Sequence, residues 1–288
     1  MKIQFGNVNQ ESLGMGTQLC ALSVFLAAGV TEIEVAEMTI YNALSEHKKI
    51  FNLDNLTISL IVNEQLTNAI FPRDSFKLFF PYYKKPKINR TLKPYIGLAW
   101  ADNAERVFDK HDKDFTYPKC KLYSLQDNLD IIKLIKCAGY DVVTLDSKDA
   151  TIADKSWLIE NLCECVIGYE GGIAHLSHML NVPYIMLPWR KDGGLEQLLH
   201  LDNSTYFLNS VYELLNWIDD DKHKLNDTIN ALNAGHGNNK FLRGERSVII
   251  DENMGLTDGK GQLIPIWFNN SEKKFFKNNI CTLKLGGQ

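Results

Sequence analysis

The chain has 288 residues, of which 45% are hydrophobic, 10% aromatic and 23% charged. This composition excludes a collagen, a coiled coil and a disordered chain, and the length suits two modest domains better than a single large one. The 31 Lys and Arg against 35 Asp and Glu give a formal net charge of -4. Because no global positive charge attracts nucleic acid or acidic membranes, any site for a polyanion must be local.

The apolar segments and the cysteines bear on the cellular compartment. Apolar runs such as residues 19–30 are far shorter than the roughly 20 residues that a membrane span requires, and the N-terminus lacks a basic region followed by a cleavable apolar stretch. The six cysteines form no Cys-x-x-Cys pair and have no His spacing suited to zinc. Cys163 and Cys165 flank Glu164, a spacing that puts both on one face of a strand. We therefore expect a cytoplasmic protein with buried free thiols, no transmembrane segment and no metal site.

The first part of the chain alternates between strand and helix patterns. A strand pattern opens the chain, and a Gly-bearing loop connects it to an apolar helix and a second strand, which together predict a βαβ unit. Such alternation is expected of a parallel sheet covered by helices. The predicted elements are a strand at 2–8, a helix at 17–28, a strand at 31–37, a helix at 39–51 and a strand at 57–63.

Residues 73–93 differ from the rest of the chain in charge. Seven Lys and Arg residues stand there against one Asp, aromatic residues lie among them, and Pro81 and Pro86 disfavour a regular helix. One interpretation is a solvated connection between domains. The other is a local site for a phosphate-rich acceptor, in which aromatic rings stack on bases or sugars while basic side chains such as Lys84 and Lys85 neutralise phosphates.

A second set of alternating elements begins at Pro94. Its spacing predicts another doubly wound domain over 94–217, after a first domain over 1–93. Residues 218–288 form a tail that is polar, Gly-rich and partly strand-like, and no function is predicted for it. The predicted elements of the second domain are strands at 95–100, 140–145, 163–169 and 182–189, and helices at 126–138, 154–161, 172–180 and 211–218.

The segment 168–186, GYEGGIAHLSHMLNVPYIM, carries the clearest chemical signal. A buried strand ends at Glu170, Gly171 and Gly172 open a helix, and an apolar strand follows Pro183. A helix N-terminus at the carboxyl edge of a parallel sheet directs unpaired N–H groups and a partial positive charge outward, and glycines let a diphosphate approach the backbone. Gly171 and Gly172 are therefore candidate phosphate contacts; alternatively, the two glycines only allow a tight strand-to-helix turn.

This segment resembles the donor-binding motif of family 9 glycosyltransferases, the ADP-heptose:lipopolysaccharide heptosyltransferase group. That motif has an acidic residue, a small residue, Gly, two variable positions and His-Leu before an apolar helix and a Pro-led strand, which correspond here to Glu170 through Leu176 and to Pro183. The resemblance covers residues 94–189. It implies an α/β protein of the GT-B fold, in which two Rossmann-like domains face a central cleft, a nucleotide sugar binds in that cleft, and transfer is inverting and needs no metal.

The resemblance assigns the donor-binding roles within the motif. It implies that Glu170 contacts the hydroxyls of the donor sugar or ribose, and that Gly171 and Gly172 contact the diphosphate. His175, one turn into the helix, either hydrogen-bonds the loop that shapes the pocket or is a structural histidine.

Other donor contacts lie outside the motif. Arg106 stands where the family has a basic residue near the donor phosphates, and a guanidinium there would offset the charge that builds on the leaving nucleoside diphosphate. Alternatively, Arg106 is a surface residue paired with Glu105 or Asp109. Lys191 is a further candidate for the phosphates and Asp146 for the ribose hydroxyls.

Inverting transfer also needs a general base that takes the proton of the acceptor hydroxyl. In the family this base is an Asp in the first βα loop, directly after a Ser-hydrophobic-Gly turn. The corresponding turn here, Ser12-Leu13-Gly14, is followed by Met15. Glu11 is the only carboxylate in this loop and is the first candidate base, with Asp102 across the cleft as the second. The glycines of the turn, Gly14 and Gly16, are candidate acceptor contacts.

We therefore predict an inverting glycosyltransferase that moves a sugar from a nucleoside-diphosphate sugar, its co-substrate, to an acceptor hydroxyl. It would need no cofactor, bind the donor in its second domain and bind the acceptor, preferably a lipopolysaccharide or other glycan, in its first. The basic aromatic stretch at 73–93 leaves open a phage-type DNA glycosyltransferase that modifies hydroxymethylated cytosine. Because no Asp follows Gly14, a third hypothesis is a non-catalytic module that binds a sugar nucleotide or nucleic acid.

Overall fold

A computed structural model shows an α/β protein made of two compact units. The first unit comprises Met1–Tyr83, Glu196–His200 and Lys240–Gln288, and the second comprises Lys84–Leu195 and Leu201–Asn239. The structure describes residues 2–5, 15–27, 30–61, 69–70, 83–87, 95–99, 125–145, 147, 149–169, 171–187, 204–208, 211–220, 223–238, 249–250, 256–257 and 263–264.

The first unit contains a parallel sheet of four strands in the order β3-β2-β1-β4. This arrangement confirms the predicted alternation of strands and helices around a parallel sheet. The elements are β1 (Lys2–Phe5), α1 (Met15–Ala27), β2 (Glu32–Val35), α2 (Met38–Ile50), β3 (Thr57–Leu60) and β4 (Ala69–Ile70).

The first two strands of this sheet have one apolar and one polar face. Lys2 of β1 forms ion pairs with Glu32 and Glu34 of β2, and this neighbouring ammonium group lowers the pKa of the Glu34 carboxyl. Strict alternation of this kind is typical of a sheet that is packed on one side only, whereas a parallel sheet buried on both faces has continuous apolar strands. The buried side chains of the two strands are Ile3, Phe5, Ile33 and Val35.

A buried polar contact joins α1 to α2. His47 Nε2 lies 3.3 Å from Gln18 Oε1, and both residues are buried. Burial lowers the pKa of His47 to about 4, because a charged imidazolium is poorly solvated there. The histidine is therefore neutral at pH 7.

The second unit contains a parallel sheet of five strands in the order β6-β5-β7-β8-β9. Apart from Glu164, its central strands are apolar and mostly buried, as expected of a parallel sheet between two layers of helices. The elements are β5 (Tyr95–Ala99), α3 (Leu125–Cys137), β6 (Asp141–Thr144), α4 (Ile152–Leu162), β7 (Cys163–Tyr169), α5 (Gly172–Met179), β8 (Tyr184–Leu187), β9 (Thr205–Phe207), α6 (Val211–Asp220) and α7 (His223–Asn233).

A β-bulge at the start of β7 changes the predicted orientation of two cysteines. The residues of β5 that pair with Cys163 and Cys165 are consecutive, so Glu164 is an extra residue in β7. Cys165 pairs with Ile96 and shares its apolar cluster. Cys163 lies on the opposite face, because a Cβ atom placed on the next residue, Gly97, would be 3.0 Å from its sulfur. Both thiols are free and buried, as predicted, but the prediction that they share one face is wrong.

The boundary between the units falls earlier than the predicted position at residue 93. The backbone N–H of Tyr83 donates to Ser23 Oγ at 2.6 Å, and its ring packs edge-to-face on Phe51 in the first unit. The backbone N–H of Lys85 donates to the carbonyl of Met179 at 2.7 Å in the second unit. The division therefore lies between residues 83 and 84, because Tyr83 is hydrogen-bonded within the first unit and Lys85 within the second.

The predicted tail 218–288 is not a single segment. Its first part includes α7, whose Leu225, Ile229 and Leu232 belong to the apolar core of the second unit. Further along lies a three-stranded antiparallel sheet of β10 (Ile249–Ile250), β11 (Leu256–Thr257) and β12 (Leu263–Ile264). None of the helices in the described ranges combines the length and the apolar character that crossing a membrane would require.

Candidate functional site

The strand order of the second sheet locates a candidate crevice. The chain passes from β5 to its neighbour β6 on one side and then to β7 on the other side of β5. In open α/β sheets, ligands bind outside the carboxyl ends of the strands where the order reverses in this way. The crevice here lies beyond the ends of β5 and β7. The chain leaves β7 through residues 170–171 and enters α5 directly afterwards.

The N-terminus of α5 lacks a cap from its own side chains. Gly171 is the N-cap residue, and its carbonyl accepts hydrogen bonds from the N–H groups of Ala174 at 3.0 Å and His175 at 3.3 Å. Within the described ranges, the N–H groups of Gly172 and Ile173 have no acceptor. These two donors and the positive end of the helix dipole are the groups that an anion requires.

The preceding helix of the same unit provides a contrast. Thr151 Oγ1 accepts the N–H of Asp154 at 3.1 Å, and the Asp154 carboxylate accepts the N–H of Thr151 at 2.9 Å. This capping box satisfies donors at the start of α4 internally, and the hydrogen bonds from Thr151 lower the pKa of the Asp154 carboxyl. The N-terminus of α4 is thus capped by side chains, whereas that of α5 has no side-chain cap. This difference favours α5 as the helix that binds an anion.

The glycines near this crevice differ in the space around them. Gly171 is exposed, and a Cβ atom placed on it would meet no atom of the described residues within 4 Å. A Cβ atom on Gly168, three residues earlier in β7, would collide with the carbonyl oxygen of Ala99 and lie 2.6 Å from Tyr184 Oη. Gly168 is therefore required for packing between strands, whereas no described residue occupies the space in front of Gly171.

The histidines of α5 lie on its buried side. His175 is 2% exposed and His178 is 1% exposed, and Ser177 between them is also buried and donates to the carbonyl of Ile173 at 2.8 Å. A ring with almost no exposed surface has little to offer a ligand directly. The burial of His175 therefore favours the structural interpretation over direct donor binding.

The predicted acceptor residues Lys84 and Lys85 lie at the other edge of the second sheet. Lys85 Nζ contacts both carboxylate oxygens of Glu160 at 2.7 and 3.0 Å, and Lys84 Nζ donates to Ser204 Oγ at 3.2 Å. Glu160 precedes β7 and Ser204 precedes β9, so both partners mark the amino-terminal edge of this parallel sheet. Seven residues of β7 separate the two edges by roughly 20 Å. This placement does not support an acceptor-binding role at the crevice for either lysine.

The predicted site residues of the first unit lie close in sequence to the start of α1. Gly16 is the second residue of that helix and is partly buried. In the sheet order β3-β2-β1-β4 the order reverses at β1, and ligands of open α/β sheets typically bind beyond the carboxyl end of such a strand. The predicted base Glu11 and the predicted contact Gly14 belong to the loop between β1 and α1 and lie outside the described residues.

The remaining predicted site residues also lie outside the described residues. They follow β5, β6, β7 and β8 along the chain. Of the predicted donor residues, Gly171 and Gly172 are described and lie at the N-terminus of α5, where the amide of Ile173 is a further donor that side-chain patterns did not reveal. The described residues contain no group of His, Cys, Asp and Glu that could hold a metal ion. The residues outside the described ranges are Asp102, Arg106, Asp146, Glu170 and Lys191.

Comparisons with known proteins add no assignment. No protein-family model matches the chain, and no curated protein sequence matches it significantly. The structure by itself establishes an α/β protein with parallel sheets.

Proposed function

We propose that the protein is a metal-independent glycosyltransferase of the GT-B type that takes its sugar from a nucleoside-diphosphate sugar. The observation that carries this proposal is the N-terminus of α5, which lacks a side-chain cap and stands at the reversal of strand order in the second sheet. The amides of Gly172 and Ile173 would bind the diphosphate, and the open space at Gly171 would let it approach the backbone.

The proposed reaction is a single displacement at the anomeric carbon of the sugar. The acceptor oxygen forms a bond to this carbon while the bond from the carbon to the diphosphate oxygen breaks, and the nucleoside diphosphate leaves with the electron pair. The acceptor proton passes to a carboxylate, Glu11 as first candidate and Asp102 as second. The positive end of α5 would stabilise the negative charge that develops on the leaving diphosphate.

A glycan acceptor, in a protein acting in the cytoplasm, is favoured over DNA. The DNA hypothesis depends on basic residues between 73 and 93, and Lys84, Lys85 and Lys87 of that stretch contact Ser204, Glu160 and Asn233 of the second unit. Transferring Lys85 to a DNA phosphate would leave the Glu160 carboxylate, with a side chain only 15% exposed, without that ion pair.

Thermal stabilisation by nucleotides tests the donor site. Wild-type protein is heated with ADP, UDP, GDP, CDP and inorganic pyrophosphate, because a ligand that binds the native state raises the melting temperature. At least one nucleoside diphosphate is expected to raise it by several degrees. Gly171→Trp places an indole in the open space before α5 and should abolish the shift, while Asn230→Trp, at an exposed position of α7, should retain it.

Turnover then separates the enzyme from a non-catalytic binding module. Release of nucleoside diphosphate from the matching sugar nucleotide is measured with and without a lipopolysaccharide core acceptor. Glu11→Gln should slow release by roughly two to four orders of magnitude if this carboxylate is the base. The absence of a shift with all nucleotides and pyrophosphate would exclude the proposed donor site, and binding without any turnover would favour the module.

A further inference from the structure

Lys85 contacts the C-terminal ends of two helices at the amino-terminal edge of the second sheet. Its backbone N–H donates to the carbonyl of Met179, the last residue of α5, at 2.7 Å. Its ammonium group contacts both oxygens of Glu160 in the last turn of α4. The helices α4 and α5 also contact each other, so Lys85 bridges two neighbouring helix ends.

The surroundings of the ion pair between Lys85 and Glu160 strengthen it. The side chains of Lys85 and Glu160 are 14% and 15% exposed, so water screens their attraction only weakly. A positive charge near the C-terminal ends of helices also interacts favourably with the helix dipoles. Loss of one partner would remove this attraction between two largely buried charges, which disfavours alternative positions of the bridge.

The helix held in this way is the one that carries the candidate donor site. With eight residues, α5 is roughly 12 Å long and behaves as one short rigid rod. A shift of its C-terminal end must therefore move the amides of Gly172 and Ile173 at its N-terminal end. Hydrogen bonds from preorganised amides lose strength when their direction changes by small amounts.

We infer that Lys85 is a positioning residue for the donor site: its bridge between Glu160 and Met179 fixes α5 so that the N-terminal amides point at the diphosphate. This inference rests on the proposed function for the identity of the ligand. The mechanical part, the fixing of α5, rests only on the described contacts. The bridge also explains why a lysine of the basic stretch is turned inward.

The test compares Lys85→Met with three matched variants. Glu160→Gln removes the same ion pair from the other side, Lys85→Arg retains a cation, and Lys84→Met removes the neighbouring lysine, which donates to Ser204. The two readouts are the affinity for pyrophosphate and the best nucleoside diphosphate, and amide hydrogen exchange at Leu180 and Val182, which donate to α5 carbonyls. The affinity and the hydrogen exchange are both measured under conditions in which circular dichroism shows that each variant is folded.

Breaking the ion pair between Lys85 and Glu160 from either side should have the same effect on ligand affinity and on hydrogen exchange. Lys85→Met and Glu160→Gln should bind both probes about fivefold more weakly or worse and should exchange the two amides about tenfold faster, whereas Lys85→Arg and Lys84→Met should stay close to wild type. If Lys85→Met does not fold, Glu160→Gln decides the question. Unchanged affinity and exchange in that variant would overturn the inference. If wild-type protein binds no probe, the donor site fails, and exchange alone decides whether Lys85 holds α5.

Discussion

The side-chain amide of Asn238 forms two hydrogen bonds with the backbone of Phe207. Asn238 Oδ1 accepts the N–H of Phe207 at 2.6 Å, and Asn238 Nδ2 donates to its carbonyl at 2.8 Å. Phe207 ends β9, an edge strand of the five-stranded sheet. The chain reaches this position because Gly235, with a φ of +78°, ends α7 and His236 donates back to Ala231 at 2.8 Å. The amide thus occupies backbone groups that an edge strand otherwise leaves open.

Replacement of Asn238 should destabilise the second unit. Asn238→Ala removes both hydrogen bonds and is expected to lower the free energy of unfolding by about 1 to 3 kcal/mol. Asn238→Asp should have an intermediate effect, because a carboxylate accepts the Phe207 N–H but cannot donate to the carbonyl. Urea denaturation measures both, with Asn230→Ala at an exposed position of α7 as control. Equal free energies of unfolding for Asn238→Ala and the control would contradict a stabilising role for the hydrogen bonds between Asn238 and the edge strand β9.

Gly168 and Gly171, three positions apart, should respond differently to replacement by alanine. Gly168→Ala forces a methyl group against the Ala99 carbonyl and Tyr184 Oη, and such overpacking typically costs about 1 to 3 kcal/mol or more. Gly171→Ala places its methyl group in open space on an extended backbone, so the free energy of unfolding should change little. Thermal and urea unfolding of the two variants provide the comparison. A fully stable Gly168→Ala protein would refute the close approach of β5 and β7.

The buried histidine of the first unit should make stability depend on pH. The folded-state pKa of His47 is about 4 and its ordinary value is 6.5, so between these values the unfolded chain binds more protons. The contribution of neutral His47 to the free energy of unfolding is fully present above pH 6.5 and is lost as the pH falls toward 4. This loss amounts to about 3 kcal/mol at most. His47→Gln places a polar amide beside Gln18 that does not titrate. Urea unfolding across this range should show a weaker pH dependence in the variant, and parallel curves would disprove the prediction.

The three described thiols of the second unit should differ in reactivity. Cys137 at the end of α3 is exposed, whereas Cys163 and Cys165 are buried and burial raises the pKa of the Cys165 thiol. Because the thiolate is the reactive form, iodoacetamide at pH 8 should modify Cys137 rapidly and leave the other two intact. Peptide mapping by mass spectrometry measures each site, and urea-unfolded protein serves as the control in which all three react. Rapid native labelling of Cys165 would contradict the described core.

Local sequence patterns predicted most of the second unit's elements. The helix predicted at 126–138 is Leu125–Cys137, the strand predicted at 163–169 is Cys163–Tyr169, and the helix predicted at 172–180 is Gly172–Met179. Each depends on residues close in sequence: apolar spacing for helix faces, continuous apolar runs for buried strands, and glycines for the turn. The same patterns correctly placed Gly171 and Gly172 at the start of a helix that follows a buried strand.

Tertiary structure decided what those patterns leave open. The opposite orientations of Cys163 and Cys165 depend on a bulge in the pairing with β5, and the inward turn of Lys85 depends on Glu160, a residue 75 positions away. The difference between Gly168 and Gly171 likewise depends on Ala99 and Tyr184 from other strands. The sequence by itself determined the alternating elements, because local spacing encodes them. Strand order, register and ion pairs arise from contacts between distant segments, which local spacing does not encode.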